Sequence, residues 1–216
     1  MFDAVVNNFP FLMGGFWVTV KLAFFALAGG IPLGILVGLG RISRKKWVYY
    51  PVTFYVNLIR NIPLILVIFW FYFVMPIIIG SPLDPFPSAV ISFIIFEATY
   101  FGEIIRAGYQ SVSKGQIEAG YSTGLNYIQT TRYILIPIAL RRMLPSMITQ
   151  AIVTYQDTCL AFVIGLPELI RRATIVDNLE VRSIQLYGFV AVVFFITCYI
   201  GSLMSRRFEV KEQEGG

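Results

Sequence analysis

Apolar residues run along this chain in blocks of about twenty, the length a helix needs to cross a bilayer. Phe16–Leu39 is interrupted only by Lys21, and Ile62–Ile79 carries no charge. Pro87–Ile105 contains Glu97 and Glu103, and Leu144–Leu166 contains Gln150, Gln156 and Asp157, so hydropathy alone marks both down. The last block, Ile184–Met204, is uncharged and stops at Ser205, Arg206 and Arg207. The pattern predicts an all-α integral membrane protein of five transmembrane helices. With no internal repeat and no low-complexity stretch, residues 1–216 form a single domain.

Composition sharpens this picture. Hydrophobic residues make up 57% of the chain, charged residues only 13%, and the mean hydropathy is +0.73. Soluble domains carry about 25% charge, so a soluble enzyme is disfavoured. The absence of histidine removes imidazole bases, Ser/His triads and His-bound metals. Cys159 and Cys198 lie in apolar stretches without CxxC spacing and read as packing residues. The net charge of +5 tracks the membrane rather than nucleic acid. Arg41, Arg44, Lys45, Lys46 and Arg60 follow the first block, and Arg106, Lys114, Arg132, Arg141 and Arg142 follow the third. Arg206, Arg207 and Lys211 follow the fifth, whereas Gly80–Phe86 holds no cation and the fourth connection only Arg171, Arg172 and Arg182. Positive loops stay cytoplasmic, which predicts an external N-terminus and a cytoplasmic C-terminus. The leading MFDAVVNNFPF lacks the basic n-region of a signal peptide, so the first helix is expected to remain uncleaved.

Two local patterns look built. Gly30, Gly34 and Gly38 place small residues on one helix face, where another backbone, in this chain or in a second subunit, can approach. In the long connection Arg106–Met143, Ser113 and Gln116 have capping-box spacing that starts a helix at about Lys114, and Gly124 suits its C-terminus. A second helix begins near Asn126 and is expected to stop before Pro137. The pair predicts a surface hairpin carrying Glu118, Ala119, Gly120 and Tyr121, either docked into another protein's groove or lying at the interface alone.

Glu118-Ala119-Gly120, three residues, Gly124, nine residues, Ile134 and Pro137 resembles the EAA loop of ABC importer permeases, EAA-x3-G-x9-I-x-LP, with Gly120 for the second alanine and Ile136 for leucine. Three further segments, Tyr55–Pro76, Phe96–Gln116 and Tyr155–Leu169, are similar to the polar amino-acid branch of type I importers. Among these they look most like glutamate/aspartate permeases, where Gln-Asp-Thr replaces Lys-Asp-Thr; Cys159 stands for the usual serine and Asn61 for glycine or serine. The resemblance implies a type I ABC importer transmembrane fold in the bacterial inner membrane. Its coupling loop, lying between helices 3 and 4, would include Gly115, Gln116, Glu118, Ala119, Gly120, Gly124 and Pro137. It also implies cytoplasmic ATPase subunits, a second permease subunit (sister chain or self) and an extracytoplasmic amino-acid-binding protein. No phosphate loop G-x-x-x-x-G-K-[ST] occurs, so ATP and Mg are expected on the partner ATPase, with no cofactor bound by this chain and no enzymatic activity of its own.

Intramembrane charges cost roughly 2.5–3.5 kcal/mol each on insertion scales and need partners or water. Glu103 can pair with Arg106 one turn on, and Lys21 can snorkel outward or attract an anionic substrate. Gln156, Asp157 and Thr158 lie mid-span ahead of Gly165 and Pro167, which predicts a broken or unwound fourth helix. Unwound backbone at that depth is tolerated where it lines a cavity, so this tripeptide, with Glu97 across from it, is the expected pathway wall; a polar network tying helices together is the rival. For an acidic amino acid, Arg60, Lys21 and the Arg171/Arg172 pair could receive carboxylates, and Asp157 or Glu97 the ammonium. The same inventory suits glutamine, histidine or arginine. An ATP-independent channel or scaffold is the alternative from another class; an intramembrane enzyme lacks paired aspartates and a metal set.

Overall fold

The computed structural model describes residues 3–213, with side chains through Leu203 and at Ser205; the predicted tail cations Arg206, Arg207 and Lys211 lie outside the described side chains. A short α1 (Asp3–Asn7) leads into α2 (Phe9–Arg41), which starts well before the apolar block because Pro10 sits in its first turn, where its missing N–H costs nothing. At 33 residues, or about 50 Å, α2 outreaches a hydrocarbon core of about 30 Å.

The second span is bent. Helix α3 (Lys46–Arg60) and the helices α4 (Leu64–Phe69) and α5 (Met75–Ile79) meet at 103°, so among the described residues four helices are long and apolar enough to cross a membrane, with this bent pair as a fifth candidate. Pro63 caps α4 and bars its predecessor from helical geometry, which ends α3 at Arg60. The apolar block began at Ile62 and gave no sign of α3. Between α4 and α5 a wide π turn, Trp70–Val74, precedes Pro76.

A second wide turn, Thr131–Leu135, joins α8 (Tyr127–Thr130) to α9 (Ile136–Asp157) and precedes Pro137. The expected stop before Pro137 is therefore corrected: the helix runs through it. Proline lacks the donor for the carbonyl four residues back and clashes with it; widening the turn moves that carbonyl away, and helix resumes with proline in its first turn. The fourth span consequently begins near Tyr127 rather than Leu144.

Helix α6 (Pro85–Ser111) is the central post, with 61% of its apolar window buried against 11% for α11 (Ser183–Gln213). The Gly30–Gly34–Gly38 stripe packs on it within the chain: a Cβ at Gly38 would lie 2.8 Å from Ile105 Cβ, and one at Gly30 3.1 Å from Glu97 Cβ. After α9 the chain tightens into a 3-10 segment, Thr158–Ile164, turns at Gly165 with φ +79°, and enters α10 (Leu169–Glu180), so the predicted break is present. Glu168, fully buried, caps α10 by accepting from the Ile170 and Arg171 amides. One core joins α2, α4, α6 and the 3-10 segment around Leu22, Ile68, Phe93 and Ala161; another joins α1, α2, α10 and α11 around Leu12, Leu169 and Leu186.

Candidate functional site

The hairpin forms from local chemistry. Ser113 Oγ accepts from the Gln116 amide while Gln116 Oε1 accepts from the Ser113 amide, a reciprocal box that starts α7 (Lys114–Ser122). Asn126 and Gln129 repeat the box at the start of α8. Gly124, at φ +84°, makes the left-handed turn between the arms. Gly120 is buried at their crossing, where a Cβ would sit 3.1 Å from Thr130 Cγ2 and within 2.5 Å of Ile134 Cδ1. Glu118, Ala119 and Tyr121 are exposed, as is Pro137, and Gly115 has open space around it.

This hairpin is welded to the bundle. Val112 and Ile117 pack with Leu135, Ala139 and Met143. The Arg142 guanidinium donates to the Ser111 carbonyl, tying the end of α6 to α9. Above it, Glu103 pairs with Arg106, whose Nε donates to Oε1 at 2.8 Å, and with Arg41 of α2 at 3.3 Å. The expected Glu103–Arg106 pair is thus one half of a clasp between α2 and α6.

Beyond the clasp lies a cleft of about 640 Å³ between α6 and α9, lined by Arg60, Tyr100, Glu103, Ser146 and Gln150 among others. The Arg60 guanidinium sits 4.9 Å from the Tyr100 ring centre. Tyr100 is eleven residues, about 16 Å, before the end of α6. Arg60, assigned from the sequence to the loop after the first block, therefore stands alongside α6 and not at its end, because α3 folds back onto the bundle with Tyr55 Oη donating to the Ile95 carbonyl at 2.5 Å.

Glu97 is fully buried. Its Oε2 accepts from Gln150 Nε2 at 2.9 Å, and its Oε1 has no partner among the described residues. Gln150, Thr154 and Asp157 follow at i, i+4 and i+7 on one face of α9, so Asp157 shares the Glu97 side. Gln156 does not: it lines a separate cleft of about 510 Å³ between α9 and α11, with Phe194 and Tyr199. The expected grouping of Gln156–Thr158 opposite Glu97 is corrected in this respect, since the helix is regular through Asp157 and turns adjacent residues 100° apart. Thr158 is buried and donates to the Tyr155 carbonyl at 2.6 Å. Lys21 is exposed on α2 and lines neither cleft. Arg172 is occupied elsewhere, donating to the Phe11 and Pro167 carbonyls at 2.7 and 3.1 Å. Sequence reasoning missed Gln150 and Tyr100 as site residues; the i, i+4, i+7 polar spacing that ends at Asp157 would have found Gln150.

The profile of the family described as binding-protein-dependent transport system inner membrane component matches residues 30–209. The chain is 34% identical to the glutamate/aspartate import permease protein GltK of Escherichia coli O6:H1 over 94% of this chain and 93% of that one. It is 38% identical to the probable glutamine ABC transporter permease protein GlnP of Bacillus subtilis, over 95% of each. A solved amino acid ABC transporter crystallised with histidines superposes with a TM-score of 0.91 at 29% identity, covering 98% of both chains. A chain of the methionine ABC transporter MetNI in an inward-facing state shares the fold, with a TM-score of 0.73 at 20% identity, over 93% of this chain and 95% of that one.

Proposed function

The chain belongs to the family of binding-protein-dependent transport system inner membrane components, and from that premise we propose that it is the subunit through which an ATP-driven importer takes up glutamate or aspartate. It is a polar amino-acid ABC permease with the type I importer fold. The observation that carries the substrate reading is Arg60, a cation that lines the α6–α9 cleft together with Gln150, whose amide donates to the buried Glu97 behind it. An acidic amino acid presents two carboxylates and one ammonium group. Arg60 receives a carboxylate, the Gln150 amide a second polar end, and Glu97 or Asp157 draws the ammonium. Lys21 attracts the anion before it reaches the cleft, while Gln156 lines the second cleft, between α9 and α11, and the buried Thr158 secures the start of the 3-10 segment.

ATP and Mg bind a separate cytoplasmic ATPase. Its closure pushes on α7 through the exposed Glu118 and Ala119, and the Arg142–Ser111 tie and the Val112–Leu135 contact carry that push into α9. The cleft, built between α6 and α9, then changes shape. An extracytoplasmic binding protein delivers substrate at the far end, and a second permease subunit closes the pathway. The N-terminus faces outward and the C-terminus the cytoplasm, in the inner membrane.

The test is ATP hydrolysis and uptake by the complete importer in liposomes, with its binding protein loaded with glutamate, aspartate, glutamine, arginine or histidine. Glutamate or aspartate should stimulate. Arg60→Gln should lower uptake about 10–100-fold, the worth of a lost charge-assisted hydrogen bond, with ATPase assembly unchanged. The 38% identity to a glutamine permease favours a second reading, in which Gln150 selects a side-chain amide; stimulation by glutamine and not glutamate would establish it. Stimulation by arginine or histidine alone overturns both, and uptake that survives removal of the ATPase overturns ATP coupling.

A further inference from the structure

The corner between α2 and α3 is a one-signed patch. Arg44, Lys45 and Lys46 are all exposed, with no ion pair among the described residues, and no acidic residue occurs in the sequence between Asp3 and Asp84. Arg41 beside them is already engaged by Glu103. A water-facing cluster of this kind would ordinarily be solvated and unremarked. What distinguishes this one is the helix that continues from it.

Helix α3 divides into two faces. Val52, Tyr55, Val56 and Ile59 pack inward against α2, α6 and the core beyond. The opposite face is an aromatic stripe of Trp47, Tyr50 and Phe54, exposed at 93%, 61% and 68%, that ends in Leu58. These positions, spaced i, i+3, i+7 and i+11, fall on one side of the helix. Since Arg60 at the end of α3 stands level with Tyr100, the stripe descends from the cationic corner into the bilayer. Cations at the surface, tryptophan and tyrosine at headgroup level and phenylalanine below match the polarity gradient of one leaflet.

We propose that the Arg44–Lys45–Lys46 corner and the Trp47–Tyr50–Phe54 stripe form a contact site for anionic phospholipid, with the three cations on the headgroup phosphates and the stripe against its acyl chains. The corner shares its end of the bundle with the α7–α8 hairpin, because Arg41 meets Glu103 and Gly38 meets Ile105 near the end of α6. A soluble ATPase could reach the cations there but could not cover Phe54. A charged headgroup on an acyl tail satisfies both halves.

The test uses the full chain with Trp17→Phe and Trp70→Phe, which leaves Trp47 as its sole tryptophan. It is reconstituted into phosphatidylcholine vesicles containing 30 mol% phosphatidylglycerol, with bromine on the acyl chains of one lipid or the other. Brominated phosphatidylglycerol should quench Trp47 beyond its mole fraction. Arg44→Gln/Lys45→Gln/Lys46→Gln should abolish that excess, each lost cation weakening the preference about fivefold, while Lys45→Arg/Lys46→Arg should keep it. Retained quenching by brominated phosphatidylcholine shows that the glutamine variant is inserted. Quenching by each lipid in proportion to its mole fraction overturns the proposal. Quenching by neither also overturns it and assigns the stripe to a protein interface with a second permease, and loss of ATPase copurification in the glutamine variant without loss of lipid preference assigns only the cations to that partner.

Discussion

Substituting Gly34 tests the central contact of the fold. An alanine Cβ there would lie 2.5 Å from Phe101 Cβ, 3.2 Å from the Gly102 amide nitrogen and 3.3 Å from the Ala98 carbonyl oxygen. Carbon atoms in contact prefer about 3.5–4.0 Å, and none of these three atoms is the free end of a flexible side chain. The helices α2 and α6 must therefore part by about 1 Å, and a gap of that size forfeits a quarter to a half of each dispersion well along the seam. Gly30 and Gly38, one turn to either side, share the loss. Overpacking of this kind costs about 1–3 kcal/mol. Gly188, on α11, has nothing within 4 Å, so Gly188→Ala should instead gain about 0.5–1 kcal/mol from lower backbone entropy. Unfolding free energies of both variants, measured by steric trapping in one bicelle composition, should differ by about 2 kcal/mol or more. A Gly34→Ala variant as stable as Gly188→Ala would refute the packing argument.

Three further outcomes follow from particular residues. Burial raises the Glu168 carboxyl to about 7 despite two amide donors that favour its charged form. The folded chain then holds a proton that the unfolded chain releases near 4.5, so stability should fall as pH rises from about 4.5 to 7 and level off above, and Glu168→Gln should flatten the thermal-stability profile over that window. Gln150→Ala strips Glu97 of its hydrogen-bond donor and should destabilise the chain by about 1–3 kcal/mol, with slowed uptake; an unchanged unfolding free energy would count against the Glu97–Gln150 bond. Ser113→Ala removes a helix cap worth about 1 kcal/mol, so hydrogen exchange at the Gln116 amide, which that cap holds, should accelerate several-fold while the amides of α6 are unaffected.

Much of this protein was legible in its sequence because the relevant interactions are local or imposed by the bilayer. Apolar runs of spanning length announced the long helices, since in lipid every backbone group must be satisfied within its own segment. Ser113, Gln116 and Gly124 announced the hairpin, because a cap and a left-handed turn are decided within a few residues. Gly165 and Pro167 marked the break after the 3-10 segment for the same reason. Proline at 137 was misleading: it forbids one hydrogen bond, but a wide turn supplies another geometry, and whether helix resumes depends on what the next turn packs against.

The tertiary structure alone decided the rest. Whether the glycine stripe served this chain or another depended on α6 arriving opposite it. Arg60 looked like a loop cation until α3 folded back beside α6, and Glu97 could be matched with Gln150 rather than Gln156 only once the rotation of α9 about its axis was set. Sequence spacing fixes which residues share a face; which face meets which neighbour is settled by the packing of whole helices, a sum of many small contacts that no single segment contains.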